Sequence, residues 1–322
     1  MIAAVVRHIG SFRIEQVPDP VPAAGEVRVK VAVAGLCRTD LKLIEVGHRD
    51  LVLPRIPAEE VTGTVDALGP GTHHDWLGKR VYVYPGVSCG ACPPCLARAG
   101  NLCAQMRIMG FHRDGGFAAY VTTPAASLIE LAPDLDFESA VFAEPLSCCL
   151  NALELARLSC GERLGVWGAG PAGTLMARAG TARGAISFVM ESDPRRCLLA
   201  GGQQALPEGI TLDVAVPAVG APEAYHDALH KLAPRGRLVL FSGLAPAAAC
   251  QSVDFNALHY QERTLVGAYG CSYRHGVAAL ALIRSGQVKV ADLISHRLPL
   301  SQLEQGLELV RQRAGMKILV YP

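Results

Sequence analysis

The sequence predicts an α/β protein in which a doubly wound parallel sheet is inserted into a domain built on a partly closed β-barrel. Three observations predict it. At 163–181, RLGVWGAGPAGTLMARAGT, a short apolar run is followed by a glycine-rich turn and then by a stretch rich in Ala, Leu and Met. From 164 to about 270, β-branched apolar runs alternate with helical patterns, as in successive βα units. Residues 1 to about 145 instead carry short β-branched runs separated by Pro/Gly turns, which is the pattern of a barrel.

In the first stretch the run 164–167 reads as a buried strand. The glycines Gly168, Gly170 and Gly173 follow at G-x-G-x-x-G spacing, with Pro171 and Ala172 between the last two. The first glycine permits a tight turn, the second admits a pyrophosphate close to the backbone, and the third lets helix pack on strand. The N–H groups and dipole of the helix start then hold the phosphates. A second strand at 186–190 ends at Glu191, where a carboxylate can bind ribose hydroxyls. Arg38, Gly168, Gly170, Pro171, Ala172, Gly173, Glu191 and Arg196 are the candidate cofactor-binding residues, the case for Arg38 coming from the resemblance below.

Within the β-rich region, strands are expected at 3–7, 12–16, 27–34 and 81–84, and a helix at about 138–158. In the α/β region, strands are expected at 164–167, 186–190, 212–217, 237–242 and 264–269, with helices at 193–200 and 221–231. Helices at 277–285 and 300–313 and a last strand at 317–320 complete the chain. The domain boundaries expected are 1–148, 149–271 and a return of 272–322 to the first domain. The stretch 196–212 is short for this kind of sheet, so its outer edge is expected to be cut down.

The chain has 322 residues, half of them apolar, and a formal charge of +1 from 30 Lys and Arg against 29 Asp and Glu. That is enough for two cores, and the near-neutral balance argues against nucleic acid or an anionic membrane as the main partner. No apolar stretch approaches membrane-spanning length, and the first residues, MIAAVVRHIG, read as a strand rather than a leader.

Four of the 11 cysteines, Cys89, Cys92, Cys95 and Cys103, form C-x2-C-x2-C-x7-C in a Gly/Pro loop. Four thiolates this close can surround one zinc tetrahedrally and leave no open position, which makes a structural site. The ferredoxin run brings its fourth cysteine back after three residues followed by proline; here it returns after seven and is followed by Ala104. Reduced thiols with zinc, rather than disulfides, point to the cytoplasm.

The barrel, the four-cysteine loop and the glycine turn occur together with Gly35-Leu-Cys-Arg-Thr-Asp40, Glu144-Pro-Leu146 and the tail Leu293-Ile-Ser-His-Arg-Leu-Pro-Leu300. In this the chain resembles the zinc-dependent alcohol dehydrogenases of the medium-chain superfamily, above all the sorbitol- and threonine-dehydrogenase branches. The resemblance runs over essentially the whole chain. It implies a GroES-like catalytic domain, a Rossmann domain, and hydride transfer between an alcohol carbon and a nicotinamide at a catalytic zinc. It also implies a homodimer or homotetramer.

On that resemblance Cys37 matches the first catalytic zinc ligand, Thr39 the hydroxyl that relays the alcohol proton, and Asp40 an acid that orients the next ligand. Arg38 matches a cation placed at the pyrophosphate. The family reads G-H-E-x-x-G where this chain reads Ala58-Glu-Glu-Val-Thr-Gly63, so Glu59 stands in place of the histidine. Glu144 matches the third ligand, and Cys148, four residues on, and Glu60 are alternatives. A Cys37/Glu59/Glu144 set puts three anionic ligands on one dication and weakens it as a Lewis acid. Three states follow: zinc with altered tuning, a harder Mn²⁺ or Mg²⁺, or no stable metal. His48, His112, His275 and His296 are candidate substitutes for the histidine, each with an ordinary structural explanation. Glu191 favours NAD(H) over NADP(H), whereas Arg195 and Arg196 pull the other way. The expected function is NAD(H)-linked interconversion of a secondary alcohol or polyol and its ketone. The alternatives are a zinc-free NAD(P)H reductase and a non-catalytic NAD(H)-binding protein.

Overall fold

The structure, a computed structural model, describes residues 1–200, 202 and 205–322. The chain divides into two compact units. Unit 1 is Met1–Glu144, Ser272–Ser285 and Val290–Pro322; unit 2 is Pro145–Cys271 and Gly286–Lys289.

Unit 1 begins with strands β1 (Ile2–His8), β2 (Ser11–Gln16) and β3 (Glu26–Leu36), helix α1 (Arg38–Glu45), and strands β4 (Glu60–Leu68) and β5 (Arg80–Val83). A small lobe follows: β6 (Gly86–Val87), α2 (Pro93–Leu96) and β7 (Arg107–Ile108). Then come β8 (Tyr120–Pro124), β9 (Leu128–Glu130) and α3 (Phe137–Ala140). Helix α4 (Ala143–Leu155) carries the chain from one unit to the other. Unit 2 contains β10 (Arg163–Trp167), α5 (Pro171–Ala182), β11 (Ile186–Met190), α6 (Pro194–Ala200), β12 (Leu212–Pro217), α7 (Pro222–His230), β13 (Leu232–Leu240), α8 (Phe255–Tyr260) and β14 (Thr264–Gly267). The chain returns to unit 1 with α9 (Tyr273–Arg284), β15 (Ile294–Pro299), α10 (Leu303–Arg311) and β16 (Lys317–Tyr321).

The main sheet of unit 1 runs β15-β16-β3-β4-β5-β9, with β8 also paired to β3. Strand β3, EVRVKVAVAGL, is its spine. Val27, Val29, Val31 and Val33 alternate inward, as a period of two requires, and the last residues are buried on both faces. Val29, Val65, Phe117, Val121 and Ile318 belong to one apolar core. In unit 2 the sheet order is β11-β10-β12-β13-β14, all parallel. Its helices follow the strands in βα order, and Trp167, Leu212, Tyr225 and Leu238 form a core.

Four sequence expectations are corrected here. The helix expected at 138–158 is two helices, α3 and α4. Pro145 lies in the first turn of α4, where its missing N–H leaves no intrahelical bond unmade, so a new helix starts there. The strand expected at 237–242 begins five residues earlier, at Leu232. Strand β4 was not expected, because Glu60 and Gly63 interrupt its apolar alternation. Segment 38–45, for which no helix was expected, is α1. Among the described residues no strand pairs outside β11, and 196–211 holds only the end of α6.

Candidate active site

The glycine turn of unit 2 is built as the spacing requires. Strand β10 is buried, and the chain turns at Gly168, whose φ of +102° is open to glycine at little cost. Gly168 N–H donates to the Met190 carbonyl at 2.7 Å, which ties the turn to β11. A Cβ on Gly173 would fall 1.8 Å from the Gly168 oxygen, so only glycine allows this helix-to-turn approach. Gly170 is the N-cap of α5 and Pro171 its first residue. The Glu191 carboxylate accepts from Ala169 N–H at 2.8 Å and from Asp193 N–H at 3.0 Å. Arg196, on α6, reaches the same turn: a Cβ on Gly170 would lie 2.6 Å from its Nη2. An acid and a guanidinium therefore both border the turn, whereas Arg195 is exposed.

In unit 1, Cys37 is the N-cap of α1, and the exposed Arg38 and Thr39 start the helix. Buried Asp40 joins two segments. One carboxylate oxygen accepts from Cys37 N–H at 3.0 Å and from the Cys37 thiol at 3.2 Å; the other accepts from Ala58 N–H at 3.0 Å. Burial, against these hydrogen bonds, raises the Asp40 carboxyl to about 6. The Cys37 thiol is pushed well above its ordinary value, first by burial and then by the charges of Asp40 and Glu60. Ala58, where the family has glycine, holds φ +85°.

Glu59 and Glu60 point to different fates. Glu59 is half-buried. Glu60 begins β4 directly across from Gly35 of β3, where a Cβ would come 2.0 Å from its Oε2. Both its carboxylate oxygens meet Lys317 Nζ, at 2.5 and 2.6 Å, in a pair 2% exposed on each side. Burial opposes the Lys317 charge, but Glu60, with Cys37 and Glu144 also near, outweighs it and raises the ammonium pKa. Sequence reasoning took Lys317 only as the start of a strand. The signal available was a lysine opening a strand otherwise apolar, KILVY.

The metal donors sort clearly. Cys89, Cys92, Cys95 and Cys103 all place their sulfurs within 4.8 Å of one another. Cys92 and Cys95 sulfurs are 3.4 Å apart and those of Cys89 and Cys95 4.0 Å. Four thiolates each about 2.3 Å from one zinc would stand about 3.8 Å apart, so the lobe fits that ion. Backbone N–H groups of Ala91 and Cys92 draw the Cys89 thiol down to about 6, toward the thiolate that a metal needs. By contrast, neither Cys37 nor Glu59 belongs to any group of three or more such ligand atoms within 4.8 Å among the described residues. Cys37 and Glu59 are thus not drawn together with a third donor at that spacing, and both oxygens of Glu60 are engaged by Lys317.

The four candidate histidines have structural partners. His48 Nδ1 accepts from Asp50 N–H and its ring meets Phe111 edge-on at 5.0 Å. His112 Nδ1 accepts from Ile108 N–H. Buried His275 closes a capping box with Ser272 at the start of α9. His296 pairs with the Ser295 hydroxyl.

Residues 23–134 match the family model described as "Alcohol dehydrogenase GroES-like domain". The chain is 32% identical to D-altritol 5-dehydrogenase of Agrobacterium fabrum, with 87% of each protein covered. It is 30% identical to L-threonine 3-dehydrogenase of Pyrococcus abyssi, over 94% of this chain and 93% of that one. Among solved structures, it superposes with a TM-score of 0.93 on one from Sinorhizobium meliloti 1021 described as a zinc-binding dehydrogenase bound to NADP. That match is 26% identical and covers 100% of this chain and 99% of the other.

Proposed function

Because the chain belongs to the zinc-type alcohol dehydrogenase family of the medium-chain dehydrogenase superfamily, we propose that it interconverts a secondary alcohol or polyol and its ketone with NAD(H). The observation that carries the reading is the Gly168–Gly173 turn bordered by the Glu191 carboxylate, in a chain whose other unit has the alcohol dehydrogenase barrel. In oxidation, the carbinol carbon gives its hydrogen with the bonding electrons to the nicotinamide ring, and the hydroxyl proton leaves to solvent. Thr39, exposed in the first turn of α1, is assigned to that proton's path. Gly168, Gly170, Pro171, Ala172 and Gly173 hold the pyrophosphate. Glu191 takes the ribose hydroxyls and repels a 2′-phosphate. Cys89, Cys92, Cys95 and Cys103 hold a structural zinc that stiffens a lobe whose helix buries no residue. The resemblance to a D-altritol dehydrogenase favours a polyol substrate. The protein is read as a cytoplasmic homodimer or homotetramer.

The test is an initial-rate survey of polyols, simple secondary alcohols and 3-hydroxy amino acids, with NAD⁺ and NADP⁺, followed at the reduced nicotinamide absorbance. Turnover of a polyol with NAD⁺ is expected. Tight NADH binding with no turnover of any alcohol or ketone, in either direction, would replace this reading with a nucleotide-binding role.

A further inference from the structure

Helix α4 offers a different set of metal donors from the one the family motif names. Cys148 lies one turn after Glu144 on this helix, and residues four apart share a helix face. The Cys148 ligand atom is within 4.8 Å of a Glu144 carboxylate oxygen, and also within 4.8 Å of the sulfur of Cys271. Cys271 is 7% exposed and closes the segment that leaves β14. The seam that holds the two thiols together is itself fixed. Asn151, one turn further along α4, donates to the Gly270 carbonyl at 2.9 Å and to that of Tyr269 at 3.4 Å. Within unit 2, then, the helix and the 269–271 segment are clamped beside the two cysteines.

We propose that Cys148 and Cys271, with the carboxylate of Glu144 from the same helix as Cys148, form a second zinc site in this chain, in place of the Cys37/Glu59 site. Two thiolates and one carboxylate suit zinc, a borderline-soft ion, better than Mg²⁺ or Mn²⁺, which take oxygen donors. Three protein ligands leave a fourth position open, unlike the closed four-cysteine lobe. The set is more anionic than a Cys/His/Glu set by one charge. The loss of the family histidine at Glu59 then has a counterpart: Cys148 and Cys271 supply donors elsewhere while Cys37 stays a thiol donating to Asp40.

The experiment is elemental analysis of the full chain purified without added metal, with thermal unfolding to confirm that each variant is folded. Two zincs per chain are expected in the wild type, one in Cys148→Ser and one in Cys271→Ser, and two in Cys37→Ser. Replacement by Cd²⁺ gives a second readout that needs no activity: the thiolate-to-cadmium absorbance should fall by about a third when both Cys148 and Cys271 are changed to serine. One zinc in the wild type would overturn the proposal. So would two zincs retained in Cys271→Ser, or loss of a zinc in Cys37→Ser, which would return the ion to the family position.

Discussion

Lys317 Nζ bridges both carboxylate oxygens of Glu60, at 2.5 and 2.6 Å, inside the sheet of unit 1 where each side chain is 2% exposed. The pair is possible because Gly35, opposite Glu60 on β3, has no Cβ to occupy the carboxylate's space. It sits beside Cys37, Asp40 and Glu144, so it sets the charge of the region in which the family's chemistry is placed.

Removing one member of such a pair leaves the other charged and buried. Lys317→Met should destabilise the protein by about 3–5 kcal/mol, and Glu60→Gln should do likewise, whereas the double variant should recover most of the loss. Urea unfolding of the wild type, both single variants and the double variant measures the coupling. Additive losses would show that the pair acts as two independent groups.

Ala58 holds a φ of +85°, a region that costs an L-residue roughly 1–2 kcal/mol. Ala58→Gly should therefore stabilise the chain, by about 1 kcal/mol once the extra freedom of the unfolded glycine is set against the relief. A rise in the urea midpoint at unchanged slope is the expected result, and a fall would mean that the Ala58 methyl contributes packing that outweighs the strain.

The lobe at 86–108 has short strands, a four-residue helix and four converging thiols. With zinc held there as proposed, chelation should expose this segment to protease before the rest of the chain unfolds, because the ion would supply cross-links to a segment of little core. Limited proteolysis with and without a strong chelator, read by mass spectrometry, checks it. First cuts between 86 and 108 are expected in the chelated sample alone.

Glu191 and Arg196 border one turn, and on the proposed reading they favour different cofactors. Glu191→Ser should lower the ratio of kcat/KM for NAD⁺ over NADP⁺ by tenfold or more, since it removes the repulsion and leaves the guanidinium. Arg196→Ala should move the ratio the other way. Equal ratios in wild type and Glu191→Ser would place the ribose recognition on other residues.

Legibility followed sequence distance. The glycine turn and the four-cysteine loop were readable because their parts lie within a few residues, where backbone geometry alone brings them together. The parallel strands were readable for the same reason: each is a short apolar run in a regular alternation. Strand β4 was not, since buried Glu60 breaks its pattern and is explained only by Lys317, far along the chain. Helix α1 was missed because its N-cap is a cysteine, which carries no ordinary capping signal.

By itself, then, the sequence determined the two kinds of fold, the glycine turn and the four-cysteine lobe. The tertiary structure alone decided which donors meet. Strand register sets Glu60 across from Gly35 and commits it to Lys317, and the packing of 269–271 on α4 brings Cys271 to Cys148. Such meetings depend on how strands pair and helices seat across long stretches of chain. No local propensity encodes them, because the free energy that fixes them comes from burying the whole core at once.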